Sequence, residues 1–164
     1  MPKKITSVEK NQLDKIATFL DLISVRLIED INSVFEGDYN LQNNKSENDI
    51  HFYEFELFED GYRINFYPMD AKHNQLGFKK ILPEYPNGFL RDEGLDVDED
   101  GYDYENDADM DRMDEFYIQL SKNIIYWFNN CWKKAGGSNF KYKASISIHE
   151  SGKVFDLIHQ KWIK

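Results

Sequence analysis

A chain of 164 residues, 41% hydrophobic and 15% aromatic, is long enough for one domain with its own core and too short for two of ordinary size. A single cysteine, Cys131, excludes an internal disulfide framework, and no apolar run approaches the roughly 20 residues that cross a membrane. The net charge of −10 repels nucleic acid and favours basic partners. The opening MPKKITSVEK lacks the apolar stretch of a signal peptide. The expectation is therefore one domain over residues 1–164 in a reducing, cytoplasmic setting.

The first element reads as a long helix. Thr6-Ser7-Val8-Glu9 fits a capping box, in which the hydroxyl accepts from the third amide and the glutamate reaches back. Leu13, Ile16, Leu20, Ile23, Leu27, Ile31 and Val34 recur at three- and four-residue steps and share one face. Gly37 is a stop signal, and the polar stretch from Asp38 to Asp49 reads as a loop.

In IHFYEFELFEDGYRINFYP, residues 50–68, Tyr53, Phe55 and Leu57 alternate with Glu54 and Glu56. Tyr62, Ile64 and Phe66 alternate with Arg63 and Asn65. Glu59-Asp60-Gly61 between them supplies the turn of a hairpin, and Pro68 ends the second strand or places it at an edge. A long, acidic, irregular segment follows over about 69–107, with Lys79 to Leu82 as a short strand or turn. A loop of this length in a compact domain is functional or poorly ordered.

A second long helix is predicted from about Ala108 to Ala135. Met110, Met113, Phe116 or Tyr117, Leu120, Ile124, Trp127 and Cys131 form its stripe. Ile125, Phe128 and Trp132 widen it, so the C-terminal half should be buried on more than one side. Acids at its start and Lys133-Lys134 at its end favour the helix dipole, and Gly136-Gly137 closes it. A second hairpin ends the chain: Phe140, Tyr142, Ala144, Ile146 and Ile148 alternate with polar residues, Glu150 to Lys153 turn, and Val154 to Trp162 return. The expected fold is α+β: a four-stranded antiparallel sheet, made from two hairpins meeting edge to edge, with two long helices on one face. No internal repeat is visible in the residues, although the two halves share an element order.

Charge is concentrated in one place. Residues 92–115 hold thirteen acids and one base, Arg112, while the rest holds 17 acids and 19 bases. Within this segment DVDEDGYDYEND admits three readings: a solvated loop, a calcium loop, or an acidic surface read by another protein. Asp96, Asp98, Asp100 and Gly101 match D-x-D-x-D-G, the first half of a calcium loop. Tyr102 would add its backbone carbonyl and Asp107 would stand at the twelfth position, where glutamate is expected. Calcium is the one cofactor this composition suggests. As a protein-binding surface the same stretch offers Asp96, Asp98, Glu99, Asp100, Tyr102, Asp103, Tyr104, Glu105 and Asp107. The rings supply contact area and the acids steer a basic partner.

His51, His73, His149 and His159 show no close metal-ligand spacing, and Cys131 among aromatics reads as buried. No P-loop, dinucleotide turn, nucleophile elbow or zinc-protease motif is present, so an enzyme is the weakest of the function classes.

Three stretches carry a family resemblance: FYEFELFEDGYRINFYP (52–68), LSKNIIYWFNNCWKKAGG (120–137) and FKYKASISIHESGKVFDLIHQKWI (140–163). In helix, hairpin, loop, helix and closing hairpin the chain resembles the YezG-like proteins, small acidic bacterial antitoxins or immunity proteins. The D-x-D-x-D-G loop and a longer first loop depart from that pattern. The resemblance implies non-enzymatic neutralisation, by tight binding, of a basic toxin domain such as a nuclease, with no nucleic acid or membrane as partner. The alternatives are a calcium-stabilised domain and a small enzyme.

Overall fold

The structure, a computed structural model, describes residues 5–96 and 101–164. Helix α1 (Ser7–Phe35) opens with the anticipated capping box: Glu9 N donates to Thr6 Oγ1, and Thr6 N donates to Glu9 Oε2 at 2.6 Å. All seven residues of its predicted stripe are buried. The first hairpin is β1 (Phe52–Phe58) and β2 (Arg63–Met69), followed by β3 (Lys80–Ile81) and a four-residue helix, α2 (Phe89–Asp92). Helix α3 (Asp107–Lys134) leads into β4 (Lys143–Ile148), β5 (Val154–Asp156) and β6 (Lys161–Trp162). Asn106 caps α3 by accepting from Ala108 N, and its C-terminal half is buried on more than one side, from Leu120 to Trp132.

The fold is α+β, but the sheet differs from the four-stranded antiparallel one expected. It has six strands in the order β3-β2-β1-β4-β5-β6, and it is mixed because β1 and β4 run parallel. The two hairpins do meet edge to edge, through Phe52↔Lys143 to Leu57↔Ile148. The direction of that meeting follows from the shared element order of the halves. Each half is a long helix followed by a hairpin, and the two units lie side by side pointing the same way. Glu9 of α1 meets Arg112 of α3 near their N-termini, Ser24 accepts from Trp127 Nε1 midway, and Phe35 packs on Trp132 near their C-termini. Two helices running together force the strands that follow them to run together.

Both helices cover one sheet face. Tyr53 donates its hydroxyl to the Val34 carbonyl of α1, and Phe55 packs on Phe128 and Trp132 of α3. The buried positions of β1 alternate strictly, leaving Phe52, Glu54, Glu56 and Phe58 on the opposite face. The single return strand expected over Val154 to Trp162 is also corrected. Asp156 accepts through Oδ1 from the amides of Ile158 and His159, an Asx-type turn that breaks it into β5 and β6.

Between β1 and β2 the chain turns through Gly61 and Tyr62, both at positive φ, so Tyr62 precedes the strand in which it was expected. Gly61 lies against Gly88, whose φ is +100°. A Cβ on either residue would strike backbone, that of Asn87 at Gly61 and that of Gly61 at Gly88. This contact, with amides of Leu90 and Arg91 donating to the Gly61 carbonyl, seats α2 beside the first hairpin turn.

Candidate functional site

The acidic segment is tied to the helices at both described ends. Up to Asp96, Gln12 Nε2 donates to the Leu95 carbonyl at 3.1 Å, and Arg91 pairs with Asp96 (2.9 Å) and with Asp60 of the hairpin turn. From Gly101 on, Tyr102 donates its hydroxyl to Glu9 Oε1 at 2.7 Å, and Arg112 Nε donates to the same oxygen at 2.9 Å while its guanidinium lies over the Tyr102 ring. Arg112 Nη1 also holds Asp109, whose other oxygen accepts from Asp103 N.

Glu9 is the node of this clamp and is only 7% exposed. Burial alone would raise its pKa. The Thr6 amide, the Tyr102 hydroxyl and the Arg112 guanidinium outweigh that and hold it below the usual carboxylate range. Burial, followed by the adjacent Glu9 carboxylate, pushes the Tyr102 hydroxyl well above the ordinary tyrosine range, so it remains a donor.

Of the residues predicted to bind a partner, Asp98, Glu99 and Asp100 lie outside the described residues. Asp96 is committed to Arg91, and Tyr102 turns its hydroxyl inward to Glu9. Asp103, Glu105 and Asp107 are exposed, and Tyr104 is 57% exposed. Sequence reasoning missed a cavity of about 570 Å³ between the hairpin turn and α3. It is lined by Glu59, Asp60, Asp114, Tyr117 and Ile118. The hairpin turn was legible in the sequence, but its placement beside α3 is a long-range feature that no local pattern encodes.

For the proposed calcium loop, Asp98 and Asp100 again lie outside the described residues. Asp96 is taken by Arg91, and Asp107 is the first residue of α3. Among the described residues, no group of three His, Cys, Asp or Glu side chains could hold a metal ion. Cys131 is buried, and desolvation raises its thiol pKa.

The second feature missed is the open face of the sheet. Glu54 and Glu56 each face an imidazole: Glu54 meets His73 Nδ1 at 2.8 Å, and Glu56 meets His149 Nδ1 at 2.6 Å. The outer phenylalanines of the same strand stack on the same rings, Phe52 on His73 and Phe58 on His149. On β5, Asp156 meets His159 Nδ1 at 2.7 Å, and the imidazole and the backbone amides of His159 and Ile158 hold its pKa down against burial. The outward alternation of Glu54 and Glu56 was the available signal. Their partners come from separate loops, which only the fold brings together.

No family model matches the chain, and neither a curated protein nor a solved structure matches it.

Proposed function

We propose that the chain is a non-enzymatic protein-binding module that captures a basic partner on its acidic surface, and that its role is to neutralise a basic toxin domain, as the resemblance to YezG-like immunity proteins implies. The observation that carries this reading is the clamp at Glu9. It anchors the start of the Gly101–Asp107 stretch on two helices through one tyrosine and one arginine, while Asp103, Glu105 and Asp107 remain exposed. A surface fixed before encounter loses less conformational freedom on binding. The cavity beside Asp114, with an apolar wall of Tyr117 and Ile118, has the chemistry to take a lysine or arginine side chain from that partner on the Asp114 carboxylate, Asp60 being already paired with Arg91. A toxin that grips phosphate must be basic, so an acidic surface competes for the surface the toxin needs and speeds the encounter.

The test is capture from the native host with the tagged chain, followed by kinetics on the captured protein. Wild type should retain a basic protein. A variant with Asp98, Asp100, Asp103 and Glu105 changed to amides should associate more slowly with it, with a flatter dependence of on-rate on salt and an unchanged fold. Equal capture and equal on-rates for the two proteins would reject the reading.

A further inference from the structure

The open sheet face carries a second site, lined by none of the residues of the acid-rich stretch 92–115. Across β1, β4 and β5 the register places Glu54 opposite Ser145 and Ser145 opposite Asp156. His73 closes one end of this row and His159 the other, each through Nδ1 to its carboxylate. The row floors a cavity of about 480 Å³, a size typical of small-molecule sites.

Two lysines stand at its edge. Lys143 lies over the Phe52 ring at 5.6 Å and Lys141 over the Tyr142 ring at 4.8 Å. Neither has a carboxylate partner among the described residues, although the chain has an excess of acids. The two carboxylates that line the same pocket, Glu54 and Asp156, each face an imidazole. The groups left facing a ligand are two ammoniums, two imidazole Nε2 atoms and the Ser145 hydroxyl. The two ammoniums and the serine hydroxyl donate hydrogen bonds, while an imidazole whose Nδ1–H faces a carboxylate presents Nε2 as a donor only in the protonated ring and as an acceptor in the neutral one. The walls are aromatic, with Phe52, Phe140 and Tyr142 lining the cavity.

We propose that this pocket binds a phosphate monoester that also bears an aromatic ring, the chemistry of a nucleoside monophosphate. A phosphate monoester carries close to two negative charges at neutral pH and would lie on the side of Lys141 and Lys143, with the imidazole-paired carboxylates of Glu54 and Asp156 on the floor, and its terminal oxygens can use the ammonium and serine donors. The ring would lie against the Phe52–His73 stack and Tyr142. The pocket holds no nucleophile–base pair at bonding distance, and the inference is of binding alone.

The four histidines allow a direct test, because their ring signals can be followed one by one in NMR spectra. Titration with AMP, CMP and phenyl phosphate should shift His73 and His159 saturably with at least one of them, while His51 and His149 stay in place. Adenosine and inorganic phosphate should each bind more weakly than the matching ester. Lys141→Gln with Lys143→Gln, both at exposed positions, should weaken binding by about tenfold or more and leave the spectrum of the free protein otherwise intact. The proposal is overturned if none of the three esters shifts these rings, if all four histidines move together, if inorganic phosphate binds as well as the esters, or if the double variant binds unchanged.

Discussion

Glu9 shows how one carboxylate serves two structures. Its Oε2 completes the α1 capping box, and its Oε1 takes the donors that hold Tyr102 and Arg112. The capping box was readable from four consecutive residues, because a local signal needs only local spacing. The second role was not, since Tyr102 and Arg112 lie far along the chain and Arg112 stood out only as the one base in an acidic run. Glu9→Gln keeps the shape and removes the charge. At neutral pH it should cost about 1–2 kcal/mol, the worth of hydrogen bonds to a charged group less what the amide retains. The sign of the pH dependence follows from the lowered folded-state pKa. Glu9 then stabilises the fold fully above its unfolded value, about 4.3, and that contribution fades as pH falls through the lower folded value. Melting temperatures of wild type and variant should differ by a constant amount above about pH 5 and converge below pH 4. A gap that persists undiminished in acid would show that the charge contributes nothing.

At the scale of elements, periodicity was the reliable guide and direction was not. The stripes of α1 and α3 and the alternation of β1 and β4 match burial closely, because each repeat reports which face meets the core. Whether β1 and β4 run parallel is set by how two helix–hairpin units pack, and no residue pattern within either unit encodes it. Edge strands were the least legible. β3 and β6 are two residues each, and the break between β5 and β6 depends on a single aspartate accepting backbone amides. The seat of α2 against the hairpin turn is equally short-range and equally hidden. It requires a residue without a side chain at Gly88, both for its φ of +100° and for its contact with the Gly61 backbone. Gly88→Ala combines a strained backbone with a clash that no flexible side chain can relieve, so a loss of about 2–4 kcal/mol is expected in denaturant unfolding. Hydrogen exchange at the amides of Leu90 and Arg91, which donate to Gly61, should speed up first. Unaltered exchange there would mean that the glycine contact does not hold α2 in place.

For the whole molecule, the question is whether the acidic surface is there for stability or in spite of it. Glu93, Glu105 and Asp114 are exposed and have no ion pair among the described residues, whereas Asp96 and Asp109 are held by arginines. Two arginines therefore satisfy the carboxylates that fold the segment and leave others to repel one another. Like charges at short range lower stability, and the effect is screened over about 10 Å at 0.1 M salt. Changing Glu93 and Glu105 to glutamine and Asp114 to asparagine should then raise the melting temperature in low salt, with the gain shrinking as salt is added. Arg112→Gln, which removes the clamp, should lower it in both conditions. The two responses separate the carboxylates that build the segment from those that burden it. If the triple variant melted lower instead, the exposed acids would be structural, and the case for a surface kept for a basic partner would lose its energetic basis. If it melted higher while binding that partner more slowly, the same charges would be costing stability and supplying encounter rate, the trade expected of a binding surface.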